Sequence, residues 1–554
     1  MSEAAAGQAA DALTQTAVRR RHVSALAPLR HPVYRSLWIA QLVSNVGTWM
    51  HDVGAAWLIT ESHASPLLAS LLQTASSLPV VFLALPAGTV ADVVDRRQIL
   101  LMTQTWMCLV AGLLGVLTLA GLTTPAVLLG FTFAMGVGVA LNTPAWQATV
   151  PSVVPREELT AAAALGSVGF NIARVVGPAL GGLIVAAAGS WAVFLLNALS
   201  FFGTIGVLWT WKPPKRDSAL PRERFYGALR AGFRFARHAP SLRSILIRTS
   251  AVVIPGSAVW ALLPVLARRL ELTSFQYGTL LGCLGLGAVA GAVLLPMLRR
   301  RYSIDVIVAG GSLIWAGAAV SLAFAGRFPV LCATLAIGGM GWITLMSNLN
   351  AAAQTALPSW VRARGLAFYI LAFQGGFALG GVLWGSVASA TDLRTTLLLS
   401  AAGVTMGLLT IRKHRLDAAV AGDVTTSLHW PTPRLYQEPS AEDGPVLVTV
   451  EYLVPREAGE AFVADARRFE RLRRRDGALQ WGLFRDLEDP RRWLETFLVE
   501  SWAEHMRQHG RHTVADRAIE QRALRHLVAG ETPKVSHLMW GGAEADATSD
   551  GQDP

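Results

Sequence analysis

Twelve long, nearly uncharged apolar blocks leave this chain few ways to fold. They fall near residues 36–60, 66–90, 98–121, 126–148, 162–187 and 190–211, then near 244–267, 274–298, 304–326, 329–354, 364–388 and 392–411. About 20 mostly apolar residues cross the hydrocarbon core as a helix, and a helix satisfies its own backbone N–H and C=O groups there. Each block therefore reads as a membrane span. The charged fraction agrees, at 15% where a soluble chain carries about a quarter. Residues 1–34 hold no apolar stretch, so no cleavable signal is expected and the first helix is expected to direct insertion.

Lysine and arginine give the spans a direction. With the N-terminus inside, the segments facing the cytoplasm carry 25 Lys and Arg and the opposite loops carry four: Arg268, Arg269, Arg327 and Arg394. The alternation holds across every span and would fail with an odd number of helices. Both termini are therefore expected in the cytoplasm of a bacterial inner membrane. The net charge of +11 follows the same loops, so it calls for no nucleic-acid partner. Cys108, Cys283 and Cys332 all lie in apolar blocks, with neither a disulfide framework nor metal-ligand spacing.

The layout divides into two related halves. Block four ends Gln147-Ala-Thr-Val-Pro151-Ser-Val-Val154 and block ten ends Gln354-Thr-Ala-Leu-Pro358-Ser-Trp-Val361. The helix after each carries Ala-Leu-Gly-Gly, at 179–182 and 378–381. Two such halves framing a midplane cavity suit alternating access. The basic loop between them contains Phe225, Leu229, Phe233 and Phe235 interleaved with Arg230, Arg234 and Arg237. That spacing predicts an amphipathic helix, lying on the inner leaflet or packed as a linker.

Ionisable groups are costly in hydrocarbon and mark functional positions. Asp52 is the only acidic side chain well inside a span; His51 is beside it, Arg174 lies in the fifth block and Arg248 near the start of the seventh. Asp52, with or without His51 and Arg174, is a candidate for proton coupling, since burial raises a carboxyl pKa. Neutralisation of Asp52 by Arg174 and direct contact with substrate are the alternatives. Asn45, Trp49, Gln73, Asn171, Asn348 and Gln374 are candidate cavity residues, or ordinary interhelical contacts.

The loop Gly88-Thr-Val-Ala-Asp92-Val-Val-Asp95-Arg96-Arg97 resembles the signature of the major facilitator superfamily. Gly88, Asp92, Arg96 and Arg97 match it, while Val93 and Asp95 depart from it. In that family these residues form a cytoplasmic latch. Gly177-Pro178-Ala-Leu-Gly181-Gly182 is similar to the antiporter motif of proton-driven exporters, where Pro178 can bend the fifth helix. The run from Trp38 to Met50, with Trp360-Val-Arg362-Ala-Arg364-Gly365, resembles the enterobactin-exporter-like branch, the transmembrane secretion effectors. The resemblance covers roughly residues 30 to 415. It implies the major facilitator fold and proton-driven efflux of a siderophore, drug or metabolite, with H+ as driving ion and no cofactor.

After the helices the pattern changes. A polar segment at 416–443 reads as a linker, and residues 444–541 follow a βαββαβ order, that of a ferredoxin-like α+β domain. This unit resembles the dimeric α/β-barrel domains of the antibiotic-biosynthesis-monooxygenase type. Four strands with one open face would pair with another copy, so either a homodimer through the C-terminal domain or packing beside the cytoplasmic loops is expected. His505, His509 and His512 read as solvated polar-face histidines, with no metal site expected, and 542–554 as a disordered tail. The expected division is then 1–34, a six-helix half at 35–211, a central loop at 212–243, a second half at 244–415, and the linker, domain and tail. No GxxxxGK[ST] loop is present, which argues against an ATP-driven pump. Proton-coupled uptake remains an alternative, as does a membrane-tethered enzyme or sensor.

Overall fold

The computed structural model describes residues 24–541, apart from 94, 212–224, 428, 431, 432, 434 and 438. The first 23 residues, positions 212–224 of the basic central loop and the tail at 542–554 lie outside the described residues. Within the first half, α1 spans Pro32–Glu61, α2 Pro66–Val93, α3 Arg96–Leu119, α4 Pro125–Val153, α5 Leu159–Ala188 and α6 Ser190–Thr210. The bridging helix α7 is Phe225–His238. The second half comprises α8 Pro240–Arg269, α9 Ser274–Arg301, α10 Ile304–Phe324, α11 Phe328–Thr355, α12 Arg362–Ala390 and α13 Leu393–Gly407, with a short helix α14 at Leu416–Val420. Eleven of these helices meet the length and hydropathy of a span. The first, α1, completes the twelve at 30 residues and is diluted by its polar side chains.

The loops supply local reasons for these boundaries. Pro32, Pro66, Pro125 and Pro240 open their helices, where the missing N–H costs nothing. Thr124, Thr273, Ser303 and Asp392 cap first turns with their side-chain oxygens, satisfying donors that would otherwise be orphaned.

The repeated Ala-Leu-Gly-Gly organises the packing. In α5, Gly181 lies against Met50 and Val53 of α1, while Gly182 meets the backbone of Ser274 and Gly278 on α9. In α12, Gly380 lies against Ile254 and Ser257 of α8, while Gly381 meets Ser70 and Thr74 of α2. In each half, then, the first glycine docks the half's own leading helix and the second docks the opposite half. Lipid tails give no hydrophobic drive for this association, so the close approach that small residues permit supplies it.

Both seams run towards the arginine-poor end of the bundle. There Leu67 N–H donates to Ser389 Oγ at 3.1 Å and Arg268 Nη1 to Ala64 C=O at 3.1 Å. Towards the arginine-rich end, Ala163, Ala164, Ser167 and Val168 of α5 are exposed. The halves therefore meet at one end and part at the other.

The C-terminal domain forms a four-stranded antiparallel sheet in the order β2-β3-β1-β4. Its strands are β1 Val446–Leu453, β2 Gln480–Arg485, β3 Arg492–Val499 and β4 Lys534–Met539. Helices α15 (Gly459–Asp476), α16 (Trp502–Arg511) and α17 (Val514–Leu524) complete it. Alternation along β1 buries Val446, Val448, Val450 and Tyr452, against Phe462 and Phe469 of α15 and Phe497 of β3. The stretch at 416–443 is more than a tether. Asp305 accepts from the N–H groups of Leu416 and Asp417 at 3.1 and 3.2 Å, and Asp417 returns a contact to Ile304 N–H at 2.9 Å.

A β-branched residue at either second glycine should open its seam, since overpacking costs about 1–3 kcal/mol. In a Leu67→Cys/Ser389→Cys variant lacking the native cysteines, oxidation should cross-link the two halves. Adding Gly381→Val should lower that yield roughly tenfold; an unchanged yield would show that this contact does not hold the seam.

Candidate functional site

The polar residues of α1 separate by helical spacing. Gln41, Asn45, Trp49 and Asp52 share one face, as residues three and four apart must, and none is buried. Ser44, Gly47 and His51 turn the other way and are buried. Asp52 is exposed on the side of α1 that turns toward α9 of the opposite half, the position of a side chain lining the space between the halves. Across from it, Tyr277 of α9 lies within its electrostatic reach.

His51 is 3% exposed and packs 4.7 Å, centroid to centroid, from Phe194 of α6. The two neighbours in sequence therefore face different surroundings: His51 belongs to the first bundle's packing and Asp52 to the cavity. Arg174 is also buried, with Nε and Nη2 unpartnered. Among the described residues no ion pair joins it to Asp52, so it does not neutralise that carboxylate in this conformation.

The other candidates spread along the interior. Asn45 Oδ1 accepts from Gln41 at 2.8 Å, and Gln73 Nε2 donates to Ser77 at 3.1 Å. Asn171 Nδ2 donates to the Ser167 carbonyl at 2.8 Å, and Trp49 sits edge-on to Phe170 at 6.2 Å. Gln374 is half-buried on α12. Asn348 is fully buried and takes a hydrogen bond from Arg299 Nε at 3.0 Å, an interhelical tie within the second half.

The basic residues after α2 hold the first half together. Arg97 donates to the carbonyls of Leu208 and Trp209 at 2.8 and 2.6 Å, capping the C-terminal end of α6, where a cation is favoured. Arg96 donates to the Ala148 carbonyl of α4 at 2.5 Å. Gly88 and Asp92 lie on α2 by their backbone, and their side chains are outside the described residues. Gly177 packs on Trp49 and Val46 of α1, and the Pro178 carbonyl faces Gly278. The helix runs unbroken through Pro178.

Other groups carry structure that the sequence pattern alone did not single out. Arg248 is not at the surface; it is 1% exposed and sits 3.9 Å from Asp305, the carboxylate that also anchors the linker. Trp260, Trp315 and Trp342 cluster inside the second half, and Trp315 Nε1 donates to the Gly256 carbonyl at 3.0 Å. The tethering of the C-terminal domain is a third case. Phe235 of α7 is buried against Trp360 at 5.6 Å, as in the packed-linker reading, while Phe233 faces outward. Arg234 reaches Glu504 at 2.6 Å, Arg230 reaches Glu500 at 3.2 Å, and the Arg511 guanidinium lies 4.8 Å over Trp360.

The domain histidines are not solvated. His505 and His512 are each 1% exposed. His505 contacts His509 and His537, and His512 lies 3.2 Å from Glu520. Burial alone would lower the His512 pKa, but contacts with Asp476 and Glu520 hold it at about 9. Two donor sets converge there, His429, His512 and Glu520, and Asp476, His512 and Asp516. Arg473 already pairs with Glu520, and Arg475 with Asp476 and Asp516. The carboxylates are compensated without an ion.

A two-fold-related pair of six-helix bundles, joined at one end around an interior carboxylate, is the build of a membrane transporter of the major facilitator type. Its sequence places it more narrowly. The transmembrane secretion effector family is matched over residues 23–544, and the chain belongs to that family. The enterobactin exporter EntS of Escherichia coli O1:K1 is 26% identical over 387 residues, 69% of this chain and 90% of that protein. EntS of Salmonella typhimurium is 25% identical over 323 residues, 58% and 76% of the two chains. Among solved structures, a bacterial homolog of the human lysosomal transporter Spinster, inward-facing and unoccupied, matches with TM-score 0.55. It is 14% identical over 71% of this chain and 97% of its own. The nucleoside transporter NupG matches with TM-score 0.51 at 14% identity, over 69% and 100%. These two share the fold.

Burial alone would push the Glu504 carboxyl up, but Arg511, Arg234 and Arg507 hold it below its ordinary 4.5. Its stabilising pairs are therefore complete above about pH 4.5 and are lost as pH falls through the lowered value. Removing one partner of a buried pair costs about 3–5 kcal/mol, so Glu504→Gln at neutral pH should speed hydrogen exchange in α7 and α16 about a hundredfold. Unaltered exchange in both helices would mean that other contacts dock the domain.

Proposed function

We propose that this protein is a secondary active exporter of a small organic molecule in a bacterial inner membrane, driven by protons. Its arginine-rich end lies in the cytoplasm by the lysine and arginine rule, which makes this conformation inward-facing. The cavity then opens to the cytoplasm, from which an exported solute is loaded. The relatives named as enterobactin exporters support efflux over uptake.

Asp52 carries the proposal. It is the only carboxylate well inside a span, it lines the cavity, and it lies near the seam that must part when access reverses. Facing the cytoplasm it takes up substrate while deprotonated; facing outward it gains a proton as substrate leaves. Tyr277 stands on the opposite half, where it can sense the charge on Asp52 and relay it to the seam. Asn45 and Trp49, on the same face of α1, are the first candidates for substrate contact.

In proteoliposomes, Asp52→Asn should abolish substrate-dependent proton movement while the protein remains folded and monodisperse. Retained coupling in that variant would remove Asp52 as the proton carrier. Truncation after Val420, which keeps the Asp305 anchor, should leave appreciable transport, whereas a tethered enzyme or sensor would lose its function.

The second proposed element is a homodimer through the C-terminal domain. Helices cover one face of the sheet, and the other presents Leu447, Phe484, Leu498 and Leu538 around a groove of about 580 Å³. A second copy of the same face matches it in shape and polarity, and pairing copies hides an apolar sheet. The Leu538→Arg/Phe484→Arg variant should halve the mass measured by light scattering after subtraction of detergent. An unchanged mass would refute pairing through this face.

A further inference from the structure

A second polar cavity, of about 380 Å³, opens where the second half, α7 and the C-terminal domain meet. Its walls come from three separate stretches of chain. Arg237, His238, Pro240, Arg243 and Ser244 form the junction of α7 with α8, Lys413 and His414 follow the last membrane helix, and Arg471 projects from α15. Six of the eight lining residues are basic, and none is acidic.

These charges are not internally compensated. Arg237, Arg243, Lys413 and Arg471 form no ion pair among the described residues, whereas Arg473, Arg475, Arg492 and Arg511 of the domain are all paired. Glu470, a carboxylate within electrostatic reach of His238, is held by Arg474 at 3.0 Å. His414 Nδ1 is 3.4 Å from Ser244 Oγ, which orients one imidazole at the rim. The first turn of the 30-residue α8 borders the cavity, and its N-cap, Ala239, supplies no capping side chain. Arg243 lies in the first turn of the membrane helix α8, and Lys413 just after the last membrane helix, both at the arginine-rich end of the bundle.

We propose that this cavity binds a phosphate group, carried by the headgroup of an anionic phospholipid from the adjoining leaflet. An anion between the three segments would relieve the repulsion of their unpaired cations, and a phosphodiester supplies both the charge and the acceptor oxygens that arginine donors require. The bound headgroup joins the C-terminal domain to the last membrane helix, so lipid composition sets how firmly the domain sits on the second half.

The test uses the full chain purified in detergent, with phosphatidylglycerol or phosphatidylcholine added, and bound lipid counted by native mass spectrometry. Phosphatidylglycerol should be retained at least five-fold more than phosphatidylcholine. Arg243→Gln/Lys413→Gln should remove that preference. So should Arg237→Gln/Arg471→Gln, which alters only exposed positions outside the membrane. Glycerol 3-phosphate and inorganic phosphate at millimolar concentration identify the source. Failure of both to displace the lipid supports a headgroup site, and displacement by either supports the phosphate chemistry but overturns the lipid as its carrier. Equal retention of both lipids by wild type and variants, with no effect of soluble phosphate, overturns the site.

Discussion

Everything in the membrane part of this protein depends on how closely helices can approach where water gives no help. Hydrocarbon on every side means that burying leucine against leucine gains little over leaving it in lipid. Association must come from backbone proximity, which only residues without bulk allow. Gly182 against Gly278 and Gly381 against Ser70 and Thr74 supply that proximity at the two seams. Because the same four residues recur in both halves, one local solution is used twice, and the seams are equivalent by construction. A joint made of shape rather than of salt bridges can part without stripping charges of their partners, which suits a joint that has to open.

The cavity follows from the same geometry. With α1 packed on α5 and α6, its two remaining sides face lipid and interior, and the residues divide accordingly. Ile39 and Val43 are exposed outward, while Gln41, Asn45 and Asp52 point inward. A single residue step separates a carboxylate that meets the cavity from an imidazole sealed inside a bundle. The difference in role between Asp52 and His51 is thus an angular one, set by 100° per residue.

Much of this was readable beforehand because hydrocarbon enforces simple rules. Span number and the two halves followed from length, hydropathy and arginine placement, and the βαββαβ order from alternation. The paired Ala-Leu-Gly-Gly was visible as a repeat, though its meaning as one glycine inward and one across needed the helices in place. What stayed hidden depends on contacts distant in sequence. Nothing near Arg248 announces Asp305, and nothing near Arg234 announces Glu504, since 270 residues separate that pair. The domain histidines mislead for a related reason: helical spacing reports which residues share a face, but not that the face meets His537 of β4 and the side chains of His429 and Trp430.

The attachments of the C-terminal domain all belong to one side. Among the described residues, helix α7, Trp360 and the Asp305–Asp417 clasp tie the domain to the second bundle. Were one bundle to tilt on the other, the domain would move with the bundle that holds it. Displacement grows with distance from the pivot, so a small tilt at the seam would become a larger excursion at the sheet. Any protein that grips the sheet gains leverage on the transport cycle without coming near the solute.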